Sequence, residues 1–145
     1  MTRAKRMKPV QHLYDDTERR LAQGLATIER KVAEAEAKCQ ELERYRGEYE
    51  KQFAQRAGGG ISVTALRDYQ AFLSRLSDAI KQQQAVVRRA QSERDAERLR
   101  WQEAAKRAKA LGHVVEQWQT EERRASDRRE QRESDERAQR KVSKT

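Results

Sequence analysis

The stretch Phe53-Ala54-Gln55-Arg56-Ala57-Gly58-Gly59-Gly60-Ile61-Ser62-Val63-Thr64-Ala65-Leu66 decides the fold. Three consecutive glycines stop a helix, because glycine loses more conformational freedom on being held than any other residue. On both sides of them the chain carries the same apolar period. Stepping back from Phe53 by threes and fours reaches Tyr49, Leu42, Cys39, Ala35 and Val32, then Ile28, Leu25, Leu21 and Tyr14, with Arg46 and Glu18 as polar interruptions. Stepping forward from Leu66 reaches Tyr69, Leu73, Leu76, Ile80, Val87 and Ala90, then Trp101, Ala104 and Ala108, with Gln83, Arg94 and Glu97 interrupting. A repeat of about 3.5 residues held for this many turns belongs to a coiled coil rather than to a globular helix.

The two seams also fit each other. Folded back at the glycines, Phe53 meets Leu66, Leu42 meets Leu76, Cys39 meets Ile80, Val32 meets Val87, Leu25 meets Arg94 and Glu18 meets Trp101. The midpoint of every pair falls on Gly59 or between Gly59 and Gly60. Turn and register agree without adjustment, as an antiparallel helical hairpin requires. The fold class expected is all-α, two long helices forming an antiparallel coiled-coil hairpin.

Composition supports a narrow core. Of 145 residues, 39% are charged against 35% hydrophobic, and the mean hydropathy is −1.22. Such a chain buries a stripe between two helices more readily than it wraps a three-dimensional core. A single elongated domain is expected over 1–145: helix one over about 10–57, a turn at about 58–61 and helix two over about 62–120. Each paired arm of roughly 45 residues would span about 70 Å. Residues before Pro9 are expected to fray, with Pro9 in the first helical turn, where its missing N–H is harmless. Ser62 or Thr64 can cap helix two. Gly24 and Gly47 cost helix one up to about 1 kcal/mol each relative to alanine. The polar segment 121–145 has almost nothing to bury and is either an exposed helix or a disordered tail that orders on binding.

Two apolar features exceed what a two-stranded contact needs. Helix two outruns helix one, so Leu111, Val115 and Trp118 fall opposite Lys8, Ala4 and the chain start and are expected to lack an internal partner. Nearer the turn, Ala65, Phe72, Ala79 and Val86 recur every seven residues beside the seam, and the register brings Tyr45 and Tyr49 opposite Phe72. This widened face either covers the edge of the core or is a docking surface.

Catalysis finds little to work with. The chain has two histidines and one cysteine; His12 and His113 would lie roughly 9 Å apart along the axis in this register, too far for shared zinc ligation. Cys39 sits on the seam as a small buried thiol of a reducing compartment. The glycine triplet lacks the lysine and hydroxyl of a phosphate loop. No cofactor, metal site or enzymatic activity is expected. No apolar run approaches a membrane span and the first residues lack the apolar core of a signal peptide, so a cytoplasmic location is expected. The net charge of +9 favours an anionic partner, with Arg3, Lys5, Arg6 and Lys8 the one basic run free of acids. Arg88, Arg89, Arg94, Arg98, Arg100, Lys106, Arg107 and Lys109 make the middle of helix two basic, but Glu93, Asp95, Glu97 and Glu103 stand among them. No aromatic residue there is placed for base stacking, so specific nucleic-acid binding is not expected.

Taken together, Leu42-x-x-Tyr45-x-x-x-Tyr49 before the turn, Tyr69-x-x-Phe72-Leu73-x-x-Leu76-x-x-Ala79-Ile80-x-x-Gln83 after it, and Arg100-Trp101-x-x-Ala104-x-x-x-Ala108-x-x-Leu111 resemble the FliJ family of the bacterial flagellar type III export apparatus. The resemblance spans nearly the whole chain and rests on length, turn position and aromatic placement together. It implies a cytoplasmic, γ-subunit-like stalk, peripherally associated with the inner-membrane apparatus. The end bearing the termini would bind the hexameric export ATPase, the hairpin would contact the cytoplasmic domain of the gate protein FlhA, and export chaperones would be further partners. By the same resemblance Leu42, Tyr45, Tyr49, Phe72, Leu76, Ala79 and Gln83 form the FlhA-binding surface, with Lys38 at its first position. Leu111, Val115 and Trp118 would then face the ATPase ring. The injectisome stalk of the same architecture is the near alternative, and a basic nucleic-acid-binding coiled coil is the alternative of a different class.

Overall fold

The computed structural model describes residues 1–144, and among them the ordered elements are two helices, α1 (Arg3–Ala57) and α2 (Val63–Ser143), packed against each other as a hairpin. They run for 55 and 81 residues. The turn closes by bonds from Gly59 N–H to the Arg56 carbonyl and from Gly60 N–H to the Ala57 carbonyl. Gly60 has φ +87°, a left-handed conformation that an L side chain resists. Ser62, of the two capping candidates, starts α2: its Oγ accepts the Ala65 N–H at 3.1 Å.

The chain divides into two compact units. In the unit Ala22–Arg100, Leu25, Val32, Ala35 and Cys39 of α1 and Leu76, Ile80 and Ala90 of α2 are buried. Each larger aliphatic side chain removed from water there contributes about 1.5–3 kcal/mol. Between them Gln83 Nε2 donates to the Ala35 carbonyl at 3.0 Å. This satisfies the amide inside the seam and ties one turn of α2 to one turn of α1. Nearest the turn Phe53 stacks on Tyr69, with centroids 3.6 Å apart and planes 8° from parallel. Leu66, expected opposite Phe53, is 39% exposed.

In the other unit, Met1–Leu21 with the chain from Trp101 onward, Ala4 and Val115 are each 2% exposed. The Trp101 indole N–H donates to Glu18 Oε1 at 2.8 Å, so the half-buried indole has a carboxylate acceptor. Here α1 begins at Arg3 rather than near residue 10, and Pro9 lies inside it. The proline removes one backbone hydrogen bond. A local cap and two long-range contacts offset that loss. Thr2 Oγ1 accepts the Lys5 N–H, Glu122 accepts the Ala4 N–H at 3.2 Å, and Arg3 pairs with Glu121. Since α1 has no acid in its first turn, the two glutamates of α2 supply the negative charge its N-terminal dipole favours. The segment after Thr120 is helical to Ser143 and almost entirely exposed.

Candidate functional site

Heptad positions place the side chains. With Leu73, Ile80 and Val87 at position a of α2 and Leu76, Gln83 and Ala90 at d, the column of Ala65, Phe72, Ala79 and Val86 occupies g. On α1 the matching column runs Tyr45, Lys38, Lys31. Contacts confirm that the two columns face each other on one side of the hairpin. Tyr45 meets Phe72 edge to face at 6.1 Å, and Lys31 Nζ meets Glu93 Oε2 at 3.3 Å. Glu93 is the g residue that follows Val86, so the ion pair closes the apolar strip at its lower end.

Aromatic rings build the upper end. Tyr49 lies 4.4 Å from Phe72 and 5.5 Å from Tyr69, which in turn covers Phe53. Two rings within such distances add about 0.5–1.5 kcal/mol beyond area burial. The inner members of the ladder are structural for that reason. Tyr45 is its outer member and remains 50% exposed; Val86 is 41% exposed. An apolar strip left in water costs free energy that a partner recovers.

The residues expected to form one surface separate by depth. Tyr45 and Lys38 are exposed, while Leu42, Tyr49, Phe72 and Ala79 are half-buried along the strip. Leu76, 8% exposed, belongs to the core and supports the face from beneath. Gln83 is half-buried with its amide committed to Ala35. Val86, which the structure adds, was marked by the same seven-residue spacing.

At the chain termini the expectation of an unpartnered stripe is corrected. Val115 is buried, Leu111 and Trp118 are half-buried, and the Arg3 guanidinium lies 4.1 Å over the Trp118 ring. The partner is the start of α1, which the heptad would have revealed if continued past Pro9: the next steps beyond Tyr14 are Gln11, Met7 and Ala4.

Titration is quiet. Burial first, then the neighbouring Glu43 carboxylate with a 3.8 Å contact, pushes the Cys39 thiol above its ordinary value. Among the described residues no group of His, Cys, Asp and Glu is arranged to hold a metal ion, and no helix is long and apolar enough to cross a membrane. The basic middle of α2 is partly neutralised, since Arg94, Arg98 and Arg100 pair with Asp95, Glu29 and Glu97. What the site offers is a surface for another macromolecule. In comparisons with known proteins, a family model described as "Flagellar FliJ protein" matches residues 3–145. No curated protein and no solved structure matches the chain.

Proposed function

The chain belongs to the FliJ family, and from that membership we propose that it acts as the stalk-like coiled coil of the flagellar type III export machinery, gripping the gate protein FlhA through its turn-side face. It is a flagellar export-associated protein, and its family is a non-enzymatic, cytoplasmic-facing component of that apparatus. The observation that carries the finer reading is the half-exposed Tyr45 edge-on to Phe72, beside Leu42, Tyr49 and Ala79. In this reading these side chains contact the FlhA cytoplasmic domain, with Leu76 and Gln83 holding the face rigid from below.

The end bearing the termini engages the hexameric export ATPase. Leu111 and Trp118 keep part of their surface accessible for this contact, with Val115 packed beneath them. A stalk seated off-centre in a ring favours closure of some subunit interfaces over others, and by linkage those closures reposition the stalk. Export chaperones are further partners in the same reading. The family description supports the flagellar system over the injectisome, and the paired arginines of α2 reduce the support for nucleic acid.

Co-purification tests the assignment. The tagged chain should retain both the flagellar export ATPase and the FlhA cytoplasmic domain, and should raise the hydrolysis rate of that ATPase. Retention of neither, together with salt-resistant binding of duplex DNA, would replace it with the nucleic-acid reading.

A further inference from the structure

We infer that the turn-side face receives an amphipathic α-helix of its partner, laid along the g columns as a third strand, and that its specificity comes from two oppositely charged rails. This rests on the protein-binding reading of that face and adds the secondary structure and charge pattern of what binds.

The two sides of the hairpin in the unit Ala22–Arg100 differ in kind. On one side the e positions of α2 are Gln70, Ser77, Gln84, Gln91 and Arg98, and across from them α1 presents Glu29, Glu36, Glu43 and Glu50. That side is satisfied within the chain: Gln91 bonds Glu36 at 3.1 Å, and Arg98 pairs with Glu29 at 3.5 Å. On the other side the g column of α2 is apolar from Ala65 to Val86. Apolar residues at flanking heptad positions widen a two-stranded seam into one that accepts another helix. From Phe72 to Val86 the strip is about 21 Å long. An occupant of about four helical turns would match it.

The rails lie one column further out. Along the stretch from Phe72 to Val86 this c column is Glu34, Glu41 and Glu48 on α1 and Arg75, Gln82 and Arg89 on α2; the preceding c residue of α2, Asp68, comes before Phe72 and beyond that end of the stretch. All six along the stretch are exposed. The three glutamates and two arginines have no hydrogen-bond or ion-pair partner among the described residues, in contrast to the engaged charges of the opposite side. A helix in the groove therefore meets carboxylates along one edge and guanidinium groups along the other, with the exposed Lys38 of the α1 g column the single cation between the glutamates and the apolar strip. Its complement carries apolar residues on the buried face, Lys or Arg on the edge towards α1, and Asp or Glu on the edge towards α2. The Lys31–Glu93 pair, which crosses between the helices at 3.3 Å, fixes where that occupant must end.

Fluorescence anisotropy with the full chain and three synthetic peptides of about two heptads, the length of the strip, tests this. The peptides share an apolar face and carry Lys on one flank and Glu on the other, Glu on both, or Lys on both. The mixed-flank peptide should bind at least about tenfold tighter than either uniform one, several exposed pairs acting together. The double variant Glu41→Lys with Glu48→Lys should reverse the preference towards the Glu-flanked peptide. Val86→Glu, at an exposed position, should abolish binding with helicity unchanged by circular dichroism. Equal affinity for the mixed and Glu-flanked peptides, indifference to Val86→Glu, or self-association of the hairpin that Val86→Glu removes would each overturn the inference. Failure of FlhA to bind while the mixed-flank peptide binds as expected would instead remove the gate assignment and leave the helix-receiving groove in place.

Discussion

Trp101 and Glu18 show how a polar layer is held in a narrow seam. With the indole N–H donating to a carboxylate oxygen at 2.8 Å, Trp101→Phe leaves the half-buried Glu18 without its donor. It should lower stability by about 1–2 kcal/mol in urea unfolding. Glu18→Gln, which keeps an acceptor, should cost less. Depth predicts a second contrast. Leu76→Ala empties a position that is 8% exposed and should cost about 2–4 kcal/mol, while Val86→Ser should stay within about 0.5 kcal/mol. Cys39 gives the pH dependence. Its folded-state value is raised, so the folded chain keeps a proton that the unfolded chain releases. Its contribution to stability is complete below the ordinary value of 9.0 and is lost as pH rises through the folded value. Alkylation at pH 8.5 should correspondingly be slower in the folded chain than in urea, as measured by mass spectrometry.

The turn and the start of α1 are where element-level physics decides. Gly60 alone among the turn glycines has a left-handed φ, so Gly60→Ala should destabilise by about 1–2 kcal/mol. Gly58→Ala, whose added methyl would meet the Gln55 carbonyl at an ordinary 3.5 Å, should be tolerated; thermal unfolding of both variants checks this. Removing residues 1–8 should uncover Val115 and release Trp118 from the Arg3 guanidinium. The expected readout is a red-shifted, more quenchable tryptophan emission. The seam, the turn and most of the core were legible beforehand because one period governs them: every buried apolar residue except Ala4 and Val115 lies on the paired stepped positions. Helix α1's true start was not legible. It depends on Glu121 and Glu122, far away in sequence, outweighing an internal proline that local propensity treats as a boundary.

For the molecule as a whole, the pattern that specifies the hairpin also specifies its unequal sides. One side spends its polar groups on itself, and the other keeps an apolar strip between unpaired charges. Placement of the strip was readable from the recurrence of Phe72, Ala79 and Val86. Which members remain accessible was not, because depth depends on side-chain direction: Leu76 turns into the core, and Gln83 reaches the Ala35 carbonyl. Family membership then connects the accessible remainder to flagellar export. Calorimetric titration of the FlhA cytoplasmic domain into the wild-type chain, Tyr45→Ala and Arg98→Ala tests that connection most directly. Tyr45→Ala should weaken binding at least about tenfold, as the loss of a hot-spot aromatic does, with helicity intact and Arg98→Ala near wild type. Wild-type affinity in Tyr45→Ala, or a loss confined to Arg98→Ala, would contradict the account.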